Sequence, residues 1–276
     1  MQARNNRPSS SSTHCPPDGR AFLRLAIGIE YDGTAYNGWQ RQRVGHGIQE
    51  VVETALGRVA GEPVVVHGAG RTDTGVHASG QVAHFDTAAR RSDRSWLLGA
   101  NSNLPDDVAI RWVRPVAADF HARFCATERR YRYVILNRLV RSALLRRRVW
   151  WVHEPLDAAK MQAAGQKLLG EHDFSAFRAA GCQAASPLRE LRGVDVSREG
   201  DFVTLELRAD AFLQRMVRNI TGTLVSIGRG EQTVEWVTSV LESRDRTRGG
   251  MAAPAHGLTL CSVVYPAKWG LPVDDS

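Results

Sequence analysis

Val64-Val65-Val66-His67-Gly68-Ala69-Gly70-Arg71-Thr72-Asp73-Thr74-Gly75-Val76-His77-Ala78-Ser79-Gly80-Gln81-Val82-Ala83-His84-Phe85 reads as a short apolar strand, a long glycine-rich loop and a second strand. The loop, His67 to Gly80, carries four glycines and a single carboxylate, Asp73, two residues beyond the cationic Arg71. Glycines let the backbone turn sharply or approach a ligand closely, and a long loop held by rigid strands is a usual place for function. A dinucleotide-type phosphate cradle is disfavoured, because that fingerprint opens into a helix and here a strand follows. The blander alternative stays open: an Arg-x-Asp pair in a surface loop is commonly an ion pair of little energetic weight.

Outward from the loop, hydrophobic periodicity sets the element order. Leu25, Ile27, Ile29 and Tyr31 alternate as in a strand that Asp32-Gly33 breaks. Ile48, Val51, Val52, Ala55, Leu56 and Val59 recur at three- and four-residue steps, the stripe of an amphipathic helix. After the loop come a short helix over 95–101 and an alternating strand over 108–114, giving β-α-β-β-α-β. The second half repeats it. A strand over 126–136 and a helix over 157–169 lead to a hairpin of 191–197 with 202–209 around Glu199-Gly200-Asp201. A long helix over 211–227, a shorter one through Trp236 and a last strand over 258–264 follow. Each half has the pattern of a split β-α-β, ferredoxin-like unit. The predicted fold is α+β: two such domains, 23–117 and 118–266, with mainly antiparallel sheets and short tails at 1–22 and 267–276.

Composition bounds the function. The 276 residues are 43% hydrophobic, enough for sizeable cores. Residues 1–22, rich in serine and poor in large apolar side chains, read as a flexible tail; no apolar stretch follows the early arginines, so no signal peptide is expected. No window suits a membrane helix, and a cytoplasmic protein is expected. Four scattered cysteines without a Cys-x-x-Cys suggest neither a zinc site nor a disulfide framework. His67, His77 and His84 surround the loop but lack partners at ligand spacing. The 36 Lys+Arg against 29 Asp+Glu leave +7, with a pI near 9.7, which points to a polyanionic partner. The excess is uneven: Arg138, Arg141, Arg146, Arg147 and Arg148 crowd one segment and Arg244, Arg246 and Arg248 alternate in another, although such runs are usually solvated loops.

Gly70-Arg71-Thr72-Asp73-Thr74-Gly75-Val76-His77-Ala78, with Tyr31-Asp32-Gly33-Thr34 and Gly38-Trp39-Gln40-Arg41-Gln42, resembles the tRNA pseudouridine synthase A (TruA) family. Asn103-Leu104-Pro105, Phe120-His121-Ala122-Arg123, Arg130-Tyr131-Arg132-Tyr133 and Met216-Val217-Arg218-Asn219 extend the match in the right order, from about residue 24 to 266. One departure is Thr74, where the family usually has alanine. The resemblance implies a homodimer that isomerises uridines at positions 38, 39 and 40 of the tRNA anticodon stem-loop to pseudouridine. It implies two ferredoxin-like domains joined across a basic cleft, with no metal and no organic cofactor. It also makes Asp73 the catalytic aspartate, Tyr131 the tyrosine beside the target base, Arg218 the arginine paired with the aspartate, and Arg71 an arginine that helps hold the base out of its stack.

These residue types suit the chemistry. Uridine becomes pseudouridine when the N-glycosidic bond breaks, the uracil rotates, C5 bonds to the ribose and the C5 proton leaves; a carboxylate can serve as nucleophile or base. Taken alone, Tyr131 in an alternating strand fits a core position and Arg218 a solvated helix face. The alternative from another class is a non-catalytic RNA-binding protein with paired RRM-like sheets. That reading needs exposed aromatics on central strands, and no Gly-Phe-Gly-Phe-like run is present.

Overall fold

A computed structural model describes residues 22–42 and 45–272. The expected tail at 1–22 lies, but for Phe22, outside the described residues. In the first half, strand β1 (Leu23–Tyr31) leads to helix α1 (Ile48–Ala60). Strands β2 (His67–Gly68) and β3 (His77–Thr87), helix α2 (Asp93–Asn101) and strand β4 (Val108–Pro115) follow. In the second half, β5 (Glu128–Asn137) and β6 (Trp150–Val152) precede α3 (Ala158–Gln166). The chain continues through β7 (Gly170–Asp173), β8 (Leu188–Glu199), β9 (Phe202–Ala209), α4 (Met216–Gly228), α5 (Trp236–Ser243) and β10 (Leu258–Val264).

All ten strands join one mixed sheet in the order β4-β1-β3-β10-β5-β9-β8-β7, with β2 on β3 and β6 on β5. Its ladders are antiparallel except β5–β6 and β10–β3. The β10–β3 ladder, Thr259 against His77 and Leu260 against Ala78, joins the two halves. The strands can come this close because residue 80 is glycine: a Cβ there would lie 2.0 Å from the Cys261 carbonyl oxygen. Helices α1 and α2 pair with each other, as do α3 and α4, and a continuous apolar core runs from Ile27, Phe85 and Trp96 to Leu205, Ile220 and Leu224. Trp96 is fully buried edge-on to Phe85, with centroids 5.3 Å apart. The opposite face of the first half's strands, at Ala26, Val82 and Trp112, is covered by Phe120 and Ala122 of the linker. Trp269, in the segment expected to be a C-terminal tail, packs edge-on against Phe120.

The chain differs from the periodicity in four places. Val64 to Val66 is not a strand, and Val66 bonds to side chains instead: its N–H donates to Glu53 Oε1 and its carbonyl accepts from Gln49 Nε2. The long helix begins at Met216, not at residue 211. Arg215 takes a left-handed φ of 61°, and the apolar 211–213 run that mimicked a helical stripe is a loop facing β5. Strands β6 and β7 were not anticipated. The Gly-Glu-His-Asp of β7 has no alternation, and only its ladder with β8 makes it a strand.

Candidate active site

The loop between β2 and β3 is held from several sides. Ala69 N–H donates to the Val82 carbonyl at 2.7 Å, and the buried Gln81 brackets Gly70, its Nε2 donating to the Gly70 carbonyl at 2.7 Å while its Oε1 accepts from the Gly70 N–H. The Thr72 and Tyr31 hydroxyls share a hydrogen bond of 2.8 Å, and Trp39 N–H donates to the Thr72 carbonyl at 3.1 Å. That last bond requires glycine at 38: its φ is +91°, and a Cβ would lie 2.4 Å from the Thr72 oxygen. Val76 N–H donates to the Asp73 carbonyl and closes the turn. The Tyr31 and Gly38-Trp39 motifs are thus a brace for the segment that carries Asp73.

Asp73 Oδ2 accepts from Arg218 Nη1 at 3.1 Å, and the two side chains are only 19% and 14% exposed. Arg218 stands in the first turn of α4. Its Nε donates to the Ala253 carbonyl at 2.8 Å, so one guanidinium is fixed to the backbone and to the carboxylate together. Arg71, although nearest to Asp73 in sequence, turns its guanidinium to Gln183 Oε1 of the second half at 3.2 Å. Thr74 is exposed beside Asp73.

Tyr131 projects from β5, buried, with its ring edge-on to Phe212 at 5.1 Å and its hydroxyl over Gly70. Burial first, then the neighbouring Tyr31 and the Asp73 carboxylate, push its phenol well above the ordinary tyrosine value, so it is a neutral hydroxyl at neutral pH. Asp73, Tyr131 and Arg218 therefore meet from the loop of one half and from a strand and a helix of the other.

They line a cleft of about 840 Å³ with six arginines (Arg71, Arg123, Arg129, Arg189, Arg215 and Arg218), and among the described residues Asp73 is the only acidic one of that lining. The crowded arginines noted in the sequence are elsewhere. Arg148 Nη2 pairs with Asp32 Oδ2 at 2.8 Å, Arg244 with Asp173, and Arg246 donates to the Gly250 carbonyl. The cleft is charged by dispersed residues that the reading of runs missed. Arg129 is the clearest: buried, it donates to the carbonyls of Ala69, Arg123, Ala126 and Asp210 and ties the loop to the second half. A signal was present, since Arg129 shares the inward parity of Tyr131 and Tyr133, and a cation on an apolar face is informative. No group of three His, Cys, Asp or Glu among the described residues is arranged to hold a metal ion, and no helix among them is long and apolar enough to cross a membrane.

One carboxylate gripped by a guanidinium, in an otherwise cationic cleft along the seam of an α+β sheet, is the arrangement of a site for a polyanionic partner. A family model described as tRNA pseudouridine synthase matches residues 27–125 and 164–266. Proteins named tRNA pseudouridine synthase A from Aeromonas hydrophila and Hydrogenovibrio crunogenus are 56% and 54% identical to this chain, covering 91% and 90% of it and 93% and 95% of their own lengths. One from Klebsiella pneumoniae is 52% identical, over 91% of this chain and 93% of its own. The chain belongs to the tRNA pseudouridine synthase family.

Proposed function

We propose that this chain isomerises uridine to pseudouridine in tRNA, at positions 38, 39 and 40 of the anticodon stem-loop, with Asp73 as the catalytic carboxylate. The observation that carries the reading is the Asp73–Arg218 pair beside Tyr131, a carboxylate in an arginine-lined cleft. The target nucleotide leaves its stack and enters the cleft, and Arg71, on the same loop, helps to hold it out. Tyr131 supplies a flat face for the uracil. Its phenol is neutral, so it meets the uracil as a hydroxyl and not as a phenolate. Asp73 acts at C1′, at the uracil ring or at the 2′ position; in each case N1–C1′ breaks, C5–C1′ forms and the C5 proton goes to solvent, with no change in composition.

The architecture proposed for this activity is two ferredoxin-like units, 23–117 and 118–266. Each half supports it with strands in the order fourth, first, third, second: β4-β1-β3-β2 and β10-β5-β9-β8. The active species is a cytoplasmic homodimer, the commonest symmetric assembly. Uridine tritiated at C5 in unmodified tRNA tests the reaction: label should pass to water while the RNA mass stays unchanged. Tight binding without release would leave a non-catalytic RNA-binding protein in its place.

A further inference from the structure

Phe124 is the most exposed phenylalanine among the described residues, with three quarters of its surface in solvent, yet it lines the same cleft as Asp73. It is not loose. The His121 ring lies 4.3 Å from it, centroid to centroid, at 36°, and His121 in turn sits 4.6 Å from the buried His84 and 5.8 Å from His67. The Arg123 guanidinium lies 5.7 Å from the Phe124 centroid. An apolar ring held open to water by a rank of aromatic neighbours, with a cation alongside, has the composition of the surfaces on which unpaired bases stack. His84 and His121 add ring area and no net charge at neutral pH: burial first, then its neighbours, lowers His84 to about 3, and burial first also lowers His121.

We propose that Phe124, backed by His121 and flanked by Arg123, is a stacking platform for a nucleobase of the substrate RNA other than the one being isomerised. The target base belongs between Asp73 and Tyr131, which stand on different elements, so the platform takes an unpaired or unstacked neighbour along the same strand. Stacking reads no hydrogen-bond pattern, so the platform accepts any base and fixes the path of the strand. This assignment rests on the reading of the cleft as the site of tRNA isomerisation.

The test compares Phe124→Ala and Phe124→Trp with the wild-type chain, using unmodified tRNA and measuring affinity at several salt concentrations, tritium release and sedimentation. Phe124→Ala should bind about ten-fold more weakly, the order expected when one base loses its aromatic partner, with an unchanged salt slope because no phosphate contact is lost. Phe124→Trp should bind as well as the wild type or better. A Phe124→Ala protein with wild-type affinity overturns the platform, as does a loss that comes with an altered salt slope. Sedimentation of Phe124→Ala as a smaller species than the wild type also overturns it, because the ring would then cover a second copy of the chain. If the wild-type chain itself releases no tritium, the proposed activity falls; a wild type that turns over beside an unaffected Phe124→Ala sinks the platform alone.

Discussion

At the scale of single residues, the Asp73–Arg218 pair makes two separable predictions. Asp73→Asn keeps the shape of the side chain and removes its charge. Turnover should fall by several orders of magnitude, as losses of core catalytic groups do. Binding of tRNA should persist or tighten, since a negative charge leaves a cleft lined by arginines. Stability should change by at most about 1–3 kcal/mol, because the amide oxygen can still accept from Arg218. A variant that retains a tenth of the wild-type rate would remove Asp73 from the chemistry. Arg218→Lys tests positioning. One ammonium cannot span Asp73 Oδ2 and the Ala253 carbonyl as the two guanidinium nitrogens do. Turnover should drop on the order of a hundred-fold, the cost of a misplacement near one ångström. Single-turnover rates with tRNA affinity measured in parallel would separate this from lost binding.

At the scale of elements, β3 carries the argument. Its Gly80 leaves no room for a side chain beside β10, and Gly80→Val would drive one into the Cys261 carbonyl. Destabilisation of about 1–3 kcal/mol or more is expected in urea unfolding, together with reduced turnover, because the seam holds Asp73 and Arg218 in register. The same strand carries His84, whose Nδ1 accepts from the Ala122 N–H. With its folded pKa depressed to about 3, the unfolded chain binds a proton below about pH 6.5 that the folded chain refuses until about pH 3. Stability is therefore fully present above the unfolded value and falls through that window as the solution is acidified. In His84→Asn, whose amide oxygen can accept the same N–H, the dependence of unfolding free energy on pH between about 6 and 4 should flatten by close to one proton. An unchanged slope would mean that His84 titrates normally in the folded chain.

At the scale of the molecule, the cleft and the assembly are testable together. With six arginines along it, tRNA affinity should fall steeply with salt. Arg189→Gln with Arg215→Gln should flatten the logarithmic slope by about two, roughly one per phosphate contact, and weaken all tRNAs alike. A slope near zero in the wild type would leave the cleft without its polyanion. Sedimentation should give a dimer of the 30.4 kDa chain at micromolar concentration, and an active monomer there would refute the assembly.

Much of this protein is legible in its sequence for a physical reason: periodicity is local. Alternation over Leu25 to Tyr31 and the three- and four-residue steps from Ile48 to Val59 depend only on which side of a strand or helix a residue occupies, and these elements stand where the spacing puts them. The basic balance and the lone carboxylate of the central loop are likewise properties of the chain itself. What periodicity cannot see is contact between remote segments. Asp73 and Arg218 are 145 residues apart, and Arg71, two positions from Asp73, faces Gln183 instead. The start of α4 was misplaced because the apolar run at Ala211 to Leu213 is a loop, half-buried except at Leu213, whose Phe212 ring meets Tyr131 of β5. The crowded arginines lie outside the cleft, which takes its charge from six dispersed ones. Those placements follow from closing a large sheet through a two-residue parallel ladder, where collective burial offsets the entropy of bringing distant segments together, and that balance belongs to the folded molecule as a whole.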